Sequence, residues 1–194
     1  MRQMTMAALT AVLMIGLVGC EPTRSGPAPE GTMPKIALRV NAGADKPYTD
    51  SKGTVWLPDQ EYKEGAKYGA LGGKVTTRTA LAAIPGSKDS PLYLAERYGM
   101  DAYRFDVPNG KYTVRLHFCE TYERINAPGQ RVFSVAIQGK PALADFDPLK
   151  EAGKFAAPVV KEFKGVVVTD GKLMIEFTPK VQNPEINAIE VLGH

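Results

Sequence analysis

Eight tyrosines stand out among the residues of this 194-residue chain that could do chemistry. Tyr48, Tyr62, Tyr68, Tyr93, Tyr98 and Tyr122 fall in a loop-rich stretch or near strand ends rather than in alternating strand cores. An exposed tyrosine offers a flat apolar face and a polar tip at low entropic cost. Such rings suit the C–H faces of sugars, whose hydroxyls then need Asn, Gln or Asp as partners. The other chemistries find less support. The only histidines are His117, in mid-strand, and the terminal His194, so zinc catalysis has no ligand set and no metal site is expected. A serine-histidine-acid triad would have to use His117, which reads instead as a solvated or hydrogen-bonded strand histidine. Gly72-Gly73-Lys74 lacks the further glycine and the helix of a phosphate loop, so no nucleotide or other cofactor is indicated. Carboxylates such as Asp50, Asp59, Glu96, Glu120, Glu123, Asp145 and Asp147 are plentiful. Glycoside hydrolysis needs two of them flanking a sugar, and Glu120 with Glu123 is the pair to consider.

These side chains must be positioned by a domain with one sizeable core, since 44% of residues are hydrophobic and 23% charged. The formal charge is +3, and its basic residues are scattered rather than gathered into a stripe that could follow phosphates, which argues against nucleic acid. With 19 Gly and 15 Pro, short strands separated by turns are favoured over long helices. The N-terminus carries an address. The apolar run Met6 to Gly19 follows Arg2 and is shorter than the roughly 18 to 20 residues of a spanning helix, so residues 1–19 read as a signal peptide. Leu17-Val18-Gly19-Cys20 resembles the lipobox of bacterial lipoproteins, which implies lipid on Cys20, cleavage before it and attachment to a membrane. Residues 20–34 then hold that cysteine and a Pro- and Gly-rich flexible tether. By resemblance to lipoprotein sorting, Glu21 rather than Asp after the lipid site implies the cell envelope, with the outer membrane favoured where one exists. With Cys20 lipidated, Cys119 is expected to be a free, buried thiol.

Residues 35–194 show no internal linker and read as one domain. Ile36, Leu38 and Val40 alternate with polar neighbours, as do Tyr112, Val114, Leu116 and Phe118, which marks two half-buried strands. Pro108-Asn109-Gly110 predicts a hairpin joining the second of these to a strand over Tyr103 to Val107. Further strands are predicted at Arg131–Ile137, Val159–Val168, Lys172–Thr178 and Ile186–Leu192, whereas Gly43 to Pro91 reads as loops. The fold class is all-β, an antiparallel β-sandwich of jelly-roll-like type.

Six segments in order carry a family resemblance: Arg39-Val40-Asn41-Ala42-Gly43; Tyr48-Thr49-Asp50 with Gly53 and Trp56; Leu92 to Tyr98; Leu116 to Tyr122; Gly129 to Phe133; and Asn187 to Val191. Together they span about residues 36 to 192, and the chain is similar to the malectin family. That resemblance implies a jelly-roll-like, non-catalytic module that binds gluco-oligosaccharides, in bacteria beside glycoside hydrolases. It also implies a loop pocket of aromatics in which Tyr68, Tyr93 and Tyr122 hold three positions. A further family aromatic is replaced here by Glu123, and the family's hydrogen-bonding Asp by Gln182, ahead of Asn183-Pro184. The expected sugar site is thus Tyr68, Tyr93, Tyr122, Glu123, Gln182 and Asn183, with Trp56 and Tyr98 packing the sandwich and Glu120 bracing a loop. Expected partners are an oligosaccharide or polysaccharide, a membrane through Cys20, and a glycoside hydrolase or an envelope protein. The alternative reading is a protein-interaction module of the same fold that has lost sugar binding.

Overall fold

The computed structural model describes residues 36–194. The expected signal peptide, Cys20 and the expected tether lie outside the described residues. Twelve strands form: β1 (Ala37–Asn41), β2 (Tyr48–Thr49), β3 (Val55–Pro58), β4 (Tyr68–Thr77), β5 (Ala95–Asp106), β6 (Gly110–Phe118), β7 (Val132–Ile137), β8 (Lys140–Phe146), β9 (Val159–Val168), β10 (Lys172–Val181), β11 (Glu185–Ile186) and β12 (Ala188–Gly193). Two one-turn helices, α1 (Pro91–Leu94) and α2 (Pro148–Ala152), interrupt them. One sheet runs β2-β3-β1-β12-β6-β9, and the other β11-β5-β10-β7-β8 with β4 added on β5. Among the described residues, all pairings between these strands are antiparallel except that of β1 with β3. This is an all-β sandwich.

Alternation along β6 sets the packing. Tyr112, Val114, Leu116 and Phe118 have no exposed surface and face the other sheet, while Arg115 and His117 point away. Opposite them lie Phe133 and Val135 of β7 and Leu173, Ile175 and Phe177 of β10. Phe118, Phe133 and Phe146 form an aromatic triangle with centroids 4.7 to 5.9 Å apart. Cys119 continues β6 and is fully buried, and burial pushes its thiol far above the ordinary range.

The hairpin predicted at Asn109-Gly110 does not form. β5 and β6 lie in different sheets, so this turn carries the chain across the sandwich. Asn109 keeps a negative φ, where a two-residue hairpin turn would need a positive one. Its side chain instead accepts from the Gly171 N–H at 2.8 Å, lashing this crossing to the neighbouring one between β9 and β10. A second correction concerns the stretch read as loops, which contains the ten-residue strand β4. Gly72 and Gly73 hide it: both have positive φ, and the register with β5 shifts at Leu71/Gly72, so alternation breaks in mid-strand at a bulge.

Gly43 brings the first sheet's leading loop against β5. Its φ is +86°, and a Cβ there would stand 2.4 Å from the Glu96 carbonyl oxygen. Gly43→Ala is therefore expected to cost more than about 2 kcal/mol in urea unfolding. Gly53→Ala is the control: at φ +79° with no atom within 4 Å, it should cost only the ~1–2 kcal/mol of the left-handed backbone.

Candidate functional site

At one end of the sandwich β4, β5, the segment after β6 and the β10–β11 turn converge. Glu96 and Tyr98 lie two residues apart on β5 and so share a face. Arg97 between them points the other way, donating to Asp59 at 2.7 Å and to the Gly72 carbonyl at 3.0 Å. Asp59 also accepts from the Gly43 N–H at 2.8 Å and the Tyr103 hydroxyl at 2.9 Å, so the strand that carries Glu96 and Tyr98 is pinned from behind.

The floor of this end is ionic and buried. Arg131, just before β7, donates through Nε to Glu120 Oε2 at 2.6 Å and through Nη1 to the Asn183 carbonyl at 2.6 Å. Glu120 Oε1 accepts from the Tyr122 N–H at 2.9 Å, which fixes where the Tyr122 side chain begins. Glu96 pairs closely with Arg78 and accepts from the Thr121 hydroxyl at 3.1 Å. Arg78 in turn lies over the Tyr122 ring, 4.8 Å from its centroid. Below them Glu185 has no exposed surface, and neither carboxylate oxygen finds a hydrogen-bond partner among the described residues. Burial first, then the neighbouring Glu96, push its carboxyl well above the ordinary range against the pull of Arg131.

Above the floor is a hollow of about 220 Å3 between Tyr98, Tyr122, Thr76, Arg78, Gln182 and Asn183, with Glu96 and Arg131 at its base. Arg78 and Tyr122 also line a neighbouring hollow of about 260 Å3 that contains Thr77, Leu81, Glu123 and Arg124. The Arg78–Tyr122 stack is thus the partition between two open hollows. Each is smaller than the roughly 300 to 1,000 Å3 of a drug-sized pocket, and the two together fall within that range. Gln182 sits in the turn at φ +61°, its Oε1 accepting from the Asn183 N–H at 3.1 Å. A non-glycine residue held in left-handed backbone at a cleft rim is the kind of strain that loops of binding sites store.

Of the six residues expected from the sequence, Tyr122, Gln182 and Asn183 meet in the first hollow and Glu123 lines the second. Tyr68 does not join them. It is buried, stacks on Phe105 at 6.3 Å and donates its hydroxyl to the Pro58 carbonyl at 2.8 Å. Tyr93 is also absent from the cleft. It lines a separate hollow of about 400 Å3 with Trp56 and His117, its hydroxyl 3.1 Å from His117 Nδ1, while Nε2 stands 3.2 Å from Glu190. The ring beside Tyr122 is Tyr98, half-buried rather than packed in the core. Its position two residues past Glu96 in a strand was the available signal. Arg78 and Arg131 went unmarked as site residues, because an arginine with no visible partner reads as a solvated charge. Trp56 packs as expected, with its Nε1 donating to Asp50 at 3.0 Å. Glu120 is a brace, both its oxygens being committed to Arg131 and the Tyr122 N–H, which leaves the Glu120–Glu123 pair without a free acid.

Fold and site together define a β-sandwich domain with a loop-rimmed, aromatic and polar cleft at one end. The Malectin domain family model matches residues 36–189, and the chain belongs to that family. Malectin-B of Xenopus laevis is 28% identical over 178 residues, covering 84% of this chain and 61% of that protein. A probable receptor-like protein kinase of Arabidopsis thaliana is 33% identical over 146 residues, and Receptor-like protein 4 of the same plant 30% over 178. These alignments cover 64% and 84% of this chain but only 16% and 28% of the two plant proteins. Among solved structures, a Bacteroides uniformis β-glucuronidase superposes with TM-score 0.73 at 29% identity, over 82% of this chain and 18% of that one. The plant receptor-like kinase FER, at TM-score 0.65 and 21% identity over 82% of this chain and 49% of that one, shares the fold.

The buried acid gives the domain a pH signature. Native Glu185 keeps its proton to higher pH than the unfolded chain does, so its contribution to stability falls as pH rises above the ordinary carboxylate range. Urea unfolding across that range should show this decline in wild type. Glu185→Gln should flatten it and be at least as stable at neutral pH; an unchanged slope would contradict the assignment.

Proposed function

We propose that the cleft between Tyr98 and Tyr122 binds an oligosaccharide without turning it over. The observation that carries this reading is the convergence, over a locked ionic floor, of two tyrosines from separate elements with the side-chain amides of Gln182 and Asn183. Tyr98 offers a ring to a sugar face, the Arg78–Tyr122 stack separates two sugar positions, and the amides and Thr76 bond hydroxyls. The family's fold is a carbohydrate-binding one, and the solved relative with the higher overlap is part of a β-glucuronidase, an enzyme of glycan chemistry. In the chain as a whole the domain serves as a binding module tethered to the cell envelope through lipid on Cys20. Its partners are a polysaccharide and a glycoside hydrolase or envelope protein that works beside it.

A shallow site of this kind binds with Kd roughly micromolar to millimolar, about −8 to −4 kcal/mol. Calorimetric titration of the full chain with gluco-, galacto- and manno-oligosaccharides should give saturable binding that weakens at least tenfold in Tyr98→Ala and Tyr122→Ala. Tyr68→Phe should bind like wild type, because its hydroxyl serves Pro58. Binding that survives both alanine variants would refute the site, and no binding by the folded chain would favour a protein-docking role. The tether is tested separately: Cys20→Ser should lose acyl label and membrane association, and retention of both would contradict lipidation.

A further inference from the structure

Hydrogen-bonding capacity in the first hollow is lopsided. Both oxygens of Glu96 are taken, by Arg78 and Thr121, and both of Glu120, by Arg131 and the Tyr122 N–H. Gln182 Oε1 accepts from the Asn183 N–H, while its amide NH2 has no partner among the described residues. Arg131 directs Nε and Nη2 to Glu120 and Nη1 to the Asn183 carbonyl. Arg78 is different. It makes one bond, to Glu96, although a guanidinium carries five N–H donors, and its Nε is buried with no partner among the described residues. The carboxylates of Glu96 and Glu120 already serve N–H and O–H groups of the protein, whereas most N–H donors of Arg78 and the NH2 of Gln182 have no partner among the described residues. An acceptor-rich group complements those donors, while the Asn183 side-chain oxygen and the Thr76 hydroxyl serve the O–H groups of the same sugar.

We propose that the sugar held in the first hollow carries a carboxylate, a uronic acid residue, with Arg78 as the side chain that reads it. This rests on the oligosaccharide reading above and names the class of ligand within it. A planar guanidinium matches a carboxylate through paired N–H donors, so Arg78 can hold Glu96 with one part of its fork and the ligand with another. Charge does not oppose this. Arg78 pairs with Glu96 and Arg131 with Glu120, so each carboxylate at the base of the hollow is matched by an arginine and an arriving anion meets unspent Arg78 donors. The second hollow is mixed, for exposed Glu123 presents acceptors there and exposed Arg124 presents donors. It suits the hydroxyls of a neutral sugar. The fitted ligand is therefore a glycan in which a uronic acid neighbours a neutral residue, the two separated by the Arg78–Tyr122 partition.

The test compares three probes on the full chain by calorimetry: a disaccharide of glucuronic acid and glucose, its methyl ester, and a disaccharide of glucose alone. The acid should bind at least tenfold more tightly than either neutral probe, and that advantage should shrink as salt is raised. Arg78→Gln should abolish the preference, and Arg78→Lys, which keeps the charge without the fork, should retain part of it. Equal affinity for acid and ester in wild type would overturn the proposal while leaving the cleft as a sugar site, and needs no variant to fold. A preference that persists in Arg78→Gln would overturn it equally. No binding of any probe would remove the oligosaccharide reading along with it.

Discussion

The site depends on one buried ion pair, Arg131 with Glu120, whose side chains are 4% and 1% exposed. It joins three segments that are distant in sequence: the start of β7, the turn after β6 and the Asn183 carbonyl of the β10–β11 turn. Such a pair is weak evidence for net stability, because desolvation offsets much of the attraction. Losing one partner is another matter, since the orphaned charge costs about 3–5 kcal/mol. Its value here is geometric. Glu120 fixes the backbone at Tyr122, and Arg131 fixes the backbone beside Gln182, so the two rims of the cleft are linked through one ion pair.

The sandwich supplies what that contact needs. Burial of Leu116 and Phe118 against Phe133 and Phe177 holds β6 and β7 on facing sheets, which brings the residue after one and the residue before the other within reach. On the far side Asp59 gathers Arg97, Tyr103 and the Gly43 N–H, fixing the face of β5 that presents Glu96 and Tyr98. Rigid strands thus carry the floor, and the rim comes from turns. This division suits a module that recognises a ligand with little rearrangement.

The fold class was legible because β6 alternates without interruption, and a strand with one buried face cannot hide that period. Strand pairing was not. Asn109-Gly110 announces a turn, but only tertiary structure decides whether a turn closes a hairpin or crosses between sheets. β4 was obscured because a bulge at Gly72-Gly73 breaks the pattern by which strands are read. In the cleft, Tyr122, Gln182 and Asn183 were visible through their motifs. Tyr68 and Tyr93 occupy motif positions too, yet their hydroxyls are spent on Pro58 and His117, a fact about distant partners that local sequence does not carry. Arg78 and Glu96 are 18 residues apart with β4's end, α1 and a loop between or beside them, so their pairing follows from the fold and not from spacing.

The measurement that bears most directly on the site is backbone amide chemical-shift mapping of the labelled chain during titration with an oligosaccharide that binds. Saturable shifts should cluster at Thr76 to Arg78, Tyr98, Thr121 to Glu123 and Gln182 to Asn183. Shifts gathered instead around Trp56, Tyr93 and His117, with that cluster unmoved, would contradict the account and place the ligand in the hollow on the outer face of the first sheet.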